Sequence, residues 1–597
     1  MESRQANPVV TGMTVAALLR QRALLSGAAI AFSFLDANQR LTQQLTWKAL
    51  DAQASALAHR LEAKVQPGNR VVLLYQPGLE FVVGFFACLY AKAIAVPAYS
   101  LRPARFHSLL LRLRHMINDC EPALILTDNE TIRLVAESHR CAEAWYRSSS
   151  FLVTSSILPD SGISPDPGQI EVTGHANTPI AIQYTSGSIS EPKGVILSSR
   201  NVLHNSQSLK EAHQFDETST VVSWVPLAHD WGLINGVVQP LYSSCHGVII
   251  SPESFLQAPS VWLKTISAYP NVGSGGPSFA YDLCVERIED DDCANLDLST
   301  WRCAGVSAGP VHCESMQRFA DRFEAFGFNR DAFYSGYGLA EATLLVCDSE
   351  RGTFPRLMRV DKSTLEERHD IIDPSVGQTI SSFVSCGRPS AHCSVAIVDP
   401  DRLSRCPERR VGEIWLAGDN IAAGYWNRPA ETCDAFGAVL PDEPSRHFLR
   451  TGDLGFMDKG ELFVTGRLKD LIICRGRNIY PQDLELTAQK SHKTLRKGCA
   501  VAFSIDGDVD DQIVLVQELK SAVPHDVAEA TRAIRQQVML EHGVKLHDIV
   551  LVAPGSIPKT SSGKLRRLAC RAAYCNGTVT GLSVSGVSPD PLPTRSA

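Results

Sequence analysis

No apolar run in the chain is long enough to cross a bilayer. The longest, residues 81–91 (FVVGFFACLYA), is closed off by Glu80 and Lys92, whereas a spanning helix needs about 20 apolar residues. The opening residues, MESRQANPVVTG, lack a basic start followed by an apolar core, so no secretory signal is expected. Positive charge is not in excess either: 57 basic residues against 64 acidic ones leave a net charge of −7. That balance argues for solubility and against a general nucleic-acid binder. No two of the 17 cysteines form a C-x-x-C pair. An odd, scattered set is most simply read as free, mostly buried thiols in a reducing, cytoplasmic compartment. Cys284, Cys293, Cys303 and Cys313 recur about every ten residues but fall on different expected elements, which argues against a metal cluster. The chain also has no internal repeat and no G-x-x-x-x-G-K-[ST] loop.

What is present is an alternation of short apolar strands with amphipathic helices. Residues 70–75 (RVVLLY) read as a strand, Pro77-Gly78 opens a helix through Leu89, and residues 93–97 (AIAVP) form the next strand. Residues 123–127 and 220–225 continue the scheme. The expected fold class is α/β, with mostly parallel sheets covered on both faces. A length of 597 residues implies two or more domains. Ligands of such sheets lie beyond the carboxyl ends of the strands. Residues 155–179, rich in Ser, Pro and Gly, read as a surface connection. From Asn576 on, the scarcity of large apolar residues predicts a disordered tail, too short to be a fused carrier protein.

The most informative stretch is residues 184–194, YTSGSISEPKG, between apolar runs at 180–184 and 195–197. Thr185, Ser186, Gly187 and Ser188 offer unobstructed N–H and O–H donors that suit phosphate oxygens. Lys193 adds one compact charge. A polar hairpin tip has the same composition, so the loop alone leaves both readings open. In residues 224–233 (WVPLAHDWGL), His229 stands among apolar rings, as a core histidine satisfied by a carbonyl or as a pocket wall. Residues 305–309 (GVSAG) fit G-x-S-x-G, after a strand at 301–304 and before a helix expected near Pro310. That is the setting of a hydrolase nucleophile elbow, with Ser307 as nucleophile. Asp453, in the turn of residues 451–455 (TGDLG), and Lys564, in residues 558–567 (PKTSSGKLRR), are also readable as ordinary turn residues.

YTSGSISEPKG resembles the phosphate-binding loop of the adenylate-forming superfamily, which includes acyl-CoA synthetases, luciferases and peptide-synthetase adenylation domains. Ile189 stands where that pattern usually has Thr, and Ser190 where it often has Gly. Five further stretches follow in the superfamily's order. HDWGL, YGLAEATL and RGRNIYPQDLE are close to the forms of the fatty acyl-AMP ligases. The resemblance implies that Thr185, Ser186, Gly187, Ser188 and Lys193 hold the phosphates of ATP. It implies that Ser307, Ala308 and Gly309 line adenine, although Gly309 replaces the usual acidic residue. Tyr337 and Gly338 would offer a flat face to the base, Glu341 a carboxylate to Mg²⁺, and Asp453 two acceptors to the ribose diol. Arg467 falls near the ribose and phosphates, Lys469 at a hinge, and Lys564 where a carboxylate meets the α-phosphate. His229, Trp231, Gly232, Leu233, Gly275 and Pro277 would line the acyl pocket.

Between Glu341 and the Gly387-Arg388-Pro389 turn the chain is longer than in ordinary acyl-CoA ligases. The extra piece, about 351–376, resembles the insertion that in fatty acyl-AMP ligases accompanies failure to use coenzyme A. The implied layout is an adenylation domain at 1–466, β-rich over 380–465, a mobile α+β lid at 467–575, and a tail at 576–597. The implied activity uses ATP and Mg²⁺ to adenylate a medium- or long-chain fatty acid, with transfer to a separate acyl carrier protein. A fatty acyl-CoA synthetase, a serine hydrolase using Ser307, and a non-catalytic nucleotide-binding module are the alternatives.

Overall fold

The computed structural model describes residues 12–103, 106–137, 150–155, 172, 174–185, 192–474, 477–505, 512–521, 527–560, 564–579 and 581. Ser186, Gly187 and Ser188, residues 561–563 beside Lys564, most of the 155–179 connection and the tail beyond 581 lie outside the described residues.

Two sheets build the larger part of the chain. One runs Phe151–Val153, Leu124–Thr127, Arg70–Leu74, Ile94–Pro97, Pro179–Tyr184, Gly194–Ser198, parallel except for the last pair. The other has nine strands: Arg388–Pro389, Leu345–Asp348, Phe333–Gly338, Trp301–Val306, Val272–Gly276, Thr220–Ser223, His246–Ile250, Ile30–Leu35, Leu41–Thr46. Its inner strands are parallel and its edges close with antiparallel pairs. Ile94–Pro97 and Leu124–Thr127 are buried at every position, as strands covered on both faces must be. The long apolar run forms helix Leu79–Tyr90, buried everywhere except at Glu80. It shares one core with Val71 and Leu73 of the six-stranded sheet, Ile249 of the nine-stranded sheet, and Trp47. A helix enclosed by protein has no polar face to keep. Among the described residues no helix is long and apolar enough to cross a membrane, and every described cysteine is a free thiol.

A third sheet is antiparallel, built on Cys393–Asp399, Gly412–Gly418 and Glu443–Asp458, with Glu461–Arg467 paired onto the last. That pairing sets Asp453 opposite Arg467. Beyond the turn Leu468–Asp470 lies a smaller α+β domain. It contains the hairpin Ile472–Cys474 with Arg477–Ile479, a sheet of Leu495–Ile505, Gln512–Leu519 and Asp548–Val552, and helices Pro481–Lys490, Val527–His542 and Arg567–Cys575. Leu484, Leu515, Ile534 and Val538 give this part a core of its own, the mark of a separate domain.

The extra piece after Glu341 folds as strand Leu357–Asp361, helix Lys362–Arg368 and strand Ile380–Val384, the two strands pairing antiparallel. Met358, Val360 and Leu365 share a core with Leu454, Phe456 and Phe463 of the third sheet and with Tyr480 of the small domain. The piece is therefore a wedge that touches both sides of the domain junction.

Candidate active site

Strand Phe333–Gly338 delivers Tyr337 and Gly338, and the tight turn Ala340–Ala342 after it carries Glu341. Gly338 admits no side chain, because a Cβ there would lie 1.7 Å from the Leu344 carbonyl oxygen. The Tyr337 hydroxyl donates to Asp453 Oδ2 at 2.7 Å, and Arg467 Nε donates to Asp453 Oδ1 at 2.8 Å. A carboxylate offers about four acceptor sites, so two remain for donors such as a vicinal diol. The Asp453 charge raises the pKa of the Arg467 guanidinium against the opposing effect of burial.

Strand Trp301–Val306 runs into Ser307, whose hydroxyl donates to the Gly336 carbonyl at 2.8 Å. Ala308 is left-handed at φ 63°, a conformation costing a non-glycine residue about 1–2 kcal/mol. The chain bends at Ala308 and Gly309, and the helix starts at Cys313 and not near Pro310. Among the described residues no histidine is hydrogen-bonded to Ser307. Among the described residues the nucleophile elbow therefore shows no base that would activate it.

Lys564 enters from the small domain. It lies in the field of the Asp230, Asp453 and Glu341 carboxylates and of the Arg467 guanidinium. Lys564 is exposed at its surface, while the surrounding protein desolvates its ammonium. This burial lowers the ammonium's pKa, Asp230 is the largest opposing influence, and Arg467 acts with burial. Asp230 is in turn held by His229, whose Nδ1 lies 2.5 Å from Asp230 Oδ1. The buried His229 is thus neither a simple core histidine nor bonded to a distant carbonyl. Burial works to raise the Asp230 pKa, but His229 and Lys564 hold it below the ordinary carboxylate value.

At the first loop, the Thr185 N–H donates to the Lys193 carbonyl at 3.0 Å. The Lys193 ammonium is paired with Glu431 and sits 4.7 Å from the Tyr425 ring centroid. The Tyr425 hydroxyl donates to Glu341 Oε1 at 2.9 Å. Burial raises the Glu341 pKa, with the Tyr425 bond opposing.

On the acyl side, Gln183 Nε2 donates to the Ala228 carbonyl at 2.6 Å, tying strand Pro179–Tyr184 to the His229 segment. Trp231, Gly232 and Leu233 open a wide, π-type helix, Trp231–Val238, a form often found at functional sites. A Cβ on Gly275 would meet the Gly305 carbonyl oxygen at 2.5 Å and the Trp231 ring at 2.9 Å. Pro277 caps helix Ser278–Arg287 just beyond. Lys469 is exposed in the turn Leu468–Asp470, whose Asp470 accepts from Arg567 Nη1 at 2.5 Å. The structure thus gathers Tyr337, Asp453, Arg467, Glu341 and Lys564, and adds three residues the motifs did not single out: Asp230, Tyr425 and Glu431.

A profile of AMP-binding enzymes matches residues 19–426. The chain belongs to the AMP-binding enzyme family. Residues 469–583 of this AMP-binding enzyme match the AMP domain of Disco-interacting protein 2-like proteins. The enzyme is 41% identical to the medium-chain-fatty-acid–[acyl-carrier-protein] ligase JamA of Moorena producens, over 95% of this chain and 96% of that one. It is 35% identical to the long-chain-fatty-acid–AMP ligase FadD26 of Mycobacterium marinum, over 96% and 100%. The fatty acyl-adenylate ligase from L. pneumophila, solved with acyl adenylate and pyrophosphate, matches with a TM-score of 0.72 at 36% identity, covering 94% of this chain and 96% of that one.

Proposed function

We propose that this enzyme uses ATP to convert a medium- or long-chain fatty acid to acyl-adenylate, releasing pyrophosphate, and then passes the acyl group to the phosphopantetheine thiol of an acyl carrier protein. The carrying observation is a lysine from a separate domain, Lys564, lying among Asp230, Asp453 and Glu341. The activities named for JamA, FadD26 and the L. pneumophila ligase support the substrate class, and JamA's name supports the acceptor.

In the first step a fatty carboxylate oxygen attacks the α-phosphorus, and the bond to the departing pyrophosphate breaks. Two unit negative charges about 4 Å apart repel by about 4 kcal/mol at an effective dielectric of about 20. The Lys564 ammonium offsets that repulsion and the charge of the transition state. Thr185, Ser186, Gly187 and Ser188 hold the phosphates, joined by Lys193 once it leaves Glu431. Ser307, Ala308, Gly309, Tyr337 and Gly338 frame the adenine, Asp453 takes the ribose hydroxyls, and Arg467 stands between ribose and phosphate. Glu341 suits Mg²⁺: its carboxylate is a hard oxygen donor whose charge is disfavoured by burial and by Asp230, with Tyr425 and Arg467 acting the other way. When bound, Mg²⁺ supplies charge neutralisation to the phosphates. The acyl chain lies along His229, Trp231, Gly232, Leu233, Gly275 and Pro277.

For the second step the lid, residues 467–575, turns about Lys469 relative to residues 1–466, which include the β-rich 380–465. The wedge opposes free rotation: Glu366 pairs with Arg477, Lys362 with His542, and Asn478 Nδ2 donates to the Glu366 carbonyl at 3.0 Å. Restricting the lid in this way supports a carrier-bound thiol, which brings binding surface of its own, over free coenzyme A. The free thiols suit a cytoplasmic setting. Mass spectrometry of products from mixed fatty acids, ATP and Mg²⁺, with either coenzyme A or a pantetheinylated carrier, tests the proposal. Acyl-carrier thioester is the expected product; acyl-CoA formed as readily would overturn the role given to the wedge.

A further inference from the structure

We infer that Tyr425 is a positioning residue for adenylation, a single side chain that fixes both the metal-binding carboxylate and the lysine of the phosphate loop. This rests on the assignment of Glu341 as the Mg²⁺ carboxylate. The Tyr425 hydroxyl makes the one hydrogen bond from another side chain to Glu341 among the described residues, to Oε1 at 2.9 Å. That leaves Oε2 to face a cation. The opposite use of Tyr425 is its ring: the Lys193 ammonium rests 4.7 Å from the centroid while paired with Glu431.

The backbone around Tyr425 is held as firmly as its side chain. Tyr425 bridges Val195 in antiparallel fashion. The Ile196 N–H donates to the Gly424 carbonyl at 3.0 Å, and the Trp426 N–H to the Gly194 carbonyl at 2.7 Å. Residues 424–426 therefore act as an added edge to strand Gly194–Ser198, which leaves the phosphate loop directly. The Tyr425 N–H donates to Thr432 Oγ1 at 2.9 Å, and its ring meets Phe436 edge-on at 5.2 Å. Gly424 is required for this path: its φ is 137°, and a Cβ there would lie 2.3 Å from Thr432 Cγ2. The loop exit and the Glu341 turn, far apart in sequence, are thus set in register by one phenol. In its resting position Lys193 is shared between Glu431 and the ring.

The hydroxyl and the ring can be separated. Full-length wild-type enzyme is compared with Tyr425→Phe, Tyr425→Leu and Glu341→Gln. Mn²⁺ binding is followed by electron paramagnetic resonance with a non-hydrolysable ATP analogue, and KM for ATP and kcat are measured in pyrophosphate exchange. Tyr425→Phe keeps the ring, the Phe436 contact and Lys193 in place. It should weaken Mn²⁺ binding about tenfold, the scale of one hydrogen bond to a charged group, with little change in melting temperature. Tyr425→Leu should add a rise in KM for ATP. If Glu341→Gln loses Mn²⁺ while Tyr425→Phe binds it like wild type, Tyr425 is packing only and the inference is overturned. If Glu341→Gln itself binds Mn²⁺ normally, the metal assignment fails first and takes the inference with it.

Discussion

Lys564 assists an anion only while it is protonated. Burial and Arg467 lower its pKa from the ordinary 10.5, and Asp230, Asp453 and Glu341 oppose them without cancelling them. Activity that needs the ammonium is present below that lowered pKa and is lost as pH rises through it, earlier than for an ordinary lysine. Asp230→Asn removes the largest opposing charge, so the alkaline limb of kcat/KM for pyrophosphate exchange should move to lower pH. Lys564→Arg should erase the limb, because a guanidinium stays charged; a limb unmoved in both variants belongs to another group. Alone, Asp453 and Lys564 read as ordinary turn residues; Lys564, Tyr337, Glu341, Asp453 and Arg467 were legible in the sequence because each sits in a short stretch that resembles a superfamily motif. Asp230 and Tyr425 were not. Their partners Lys564 and Glu341 are remote in the chain, and an aspartate or tyrosine says little until the fold supplies the second half of the contact. His229 had two open readings, and the structure adds a partner that neither named, Asp230.

Among elements, the short parallel strands were legible because burial on both faces leaves them no polar positions, as at Leu124–Thr127. The wedge was visible only as extra length. Nothing in its composition announced that strand Ile380–Val384 would return to pair with Leu357–Asp361, or that its helix would face the lid. That contact holds a cluster of titratable groups: Lys362 and Glu366 from the wedge, and Arg477, Asp483, Glu541 and His542 from the lid, with the Thr487 hydroxyl between Glu541 and His542. Burial, then Lys362, pulls the His542 pKa from 6.5 to about 4. Burial pushes Asp483 from 3.8 to about 6, with Lys362 opposing. Between pH 4 and 6 the two act in opposite senses. Unfolding lets His542 take up a proton, so its contribution makes the fold more stable as pH rises; unfolding makes Asp483 release one, so its contribution makes the fold less stable as pH rises. Relative to wild type, Asp483→Asn should therefore gain melting temperature from pH 4 to 6, and His542→Gln should lose it. Parallel curves for all three proteins would show that neither group is shifted by the contact.

At the scale of the molecule, the small domain meets the large one through the wedge and through exposed ion pairs, among other contacts. Lys490 with Glu314 at 2.8 Å and Lys497 with Glu286 at 3.3 Å are exposed pairs, worth about 0–1 kcal/mol each. Such pairs do not fix a domain; the proposed restraint on the lid comes from the wedge contacts, beside Gln482, whose Nε2 donates to the Thr465 carbonyl across the junction at 2.5 Å. The α/β class follows from strand patterning and the presence of two or more domains from length, while the division into a large and a small one follows from the family resemblance. The orientation that brings Lys564 over the strand ends does not, because it depends on side chains meeting across the junction. Fatty-acid-dependent exchange of labelled pyrophosphate into ATP, in wild type and Lys564→Ala, measures that arrangement directly. Losing about 3–4 kcal/mol of charge compensation should slow the exchange by about 10²–10³-fold. Exchange that is absent from the wild type, or that proceeds equally well without the lysine, would contradict adenylation by a lid-borne ammonium.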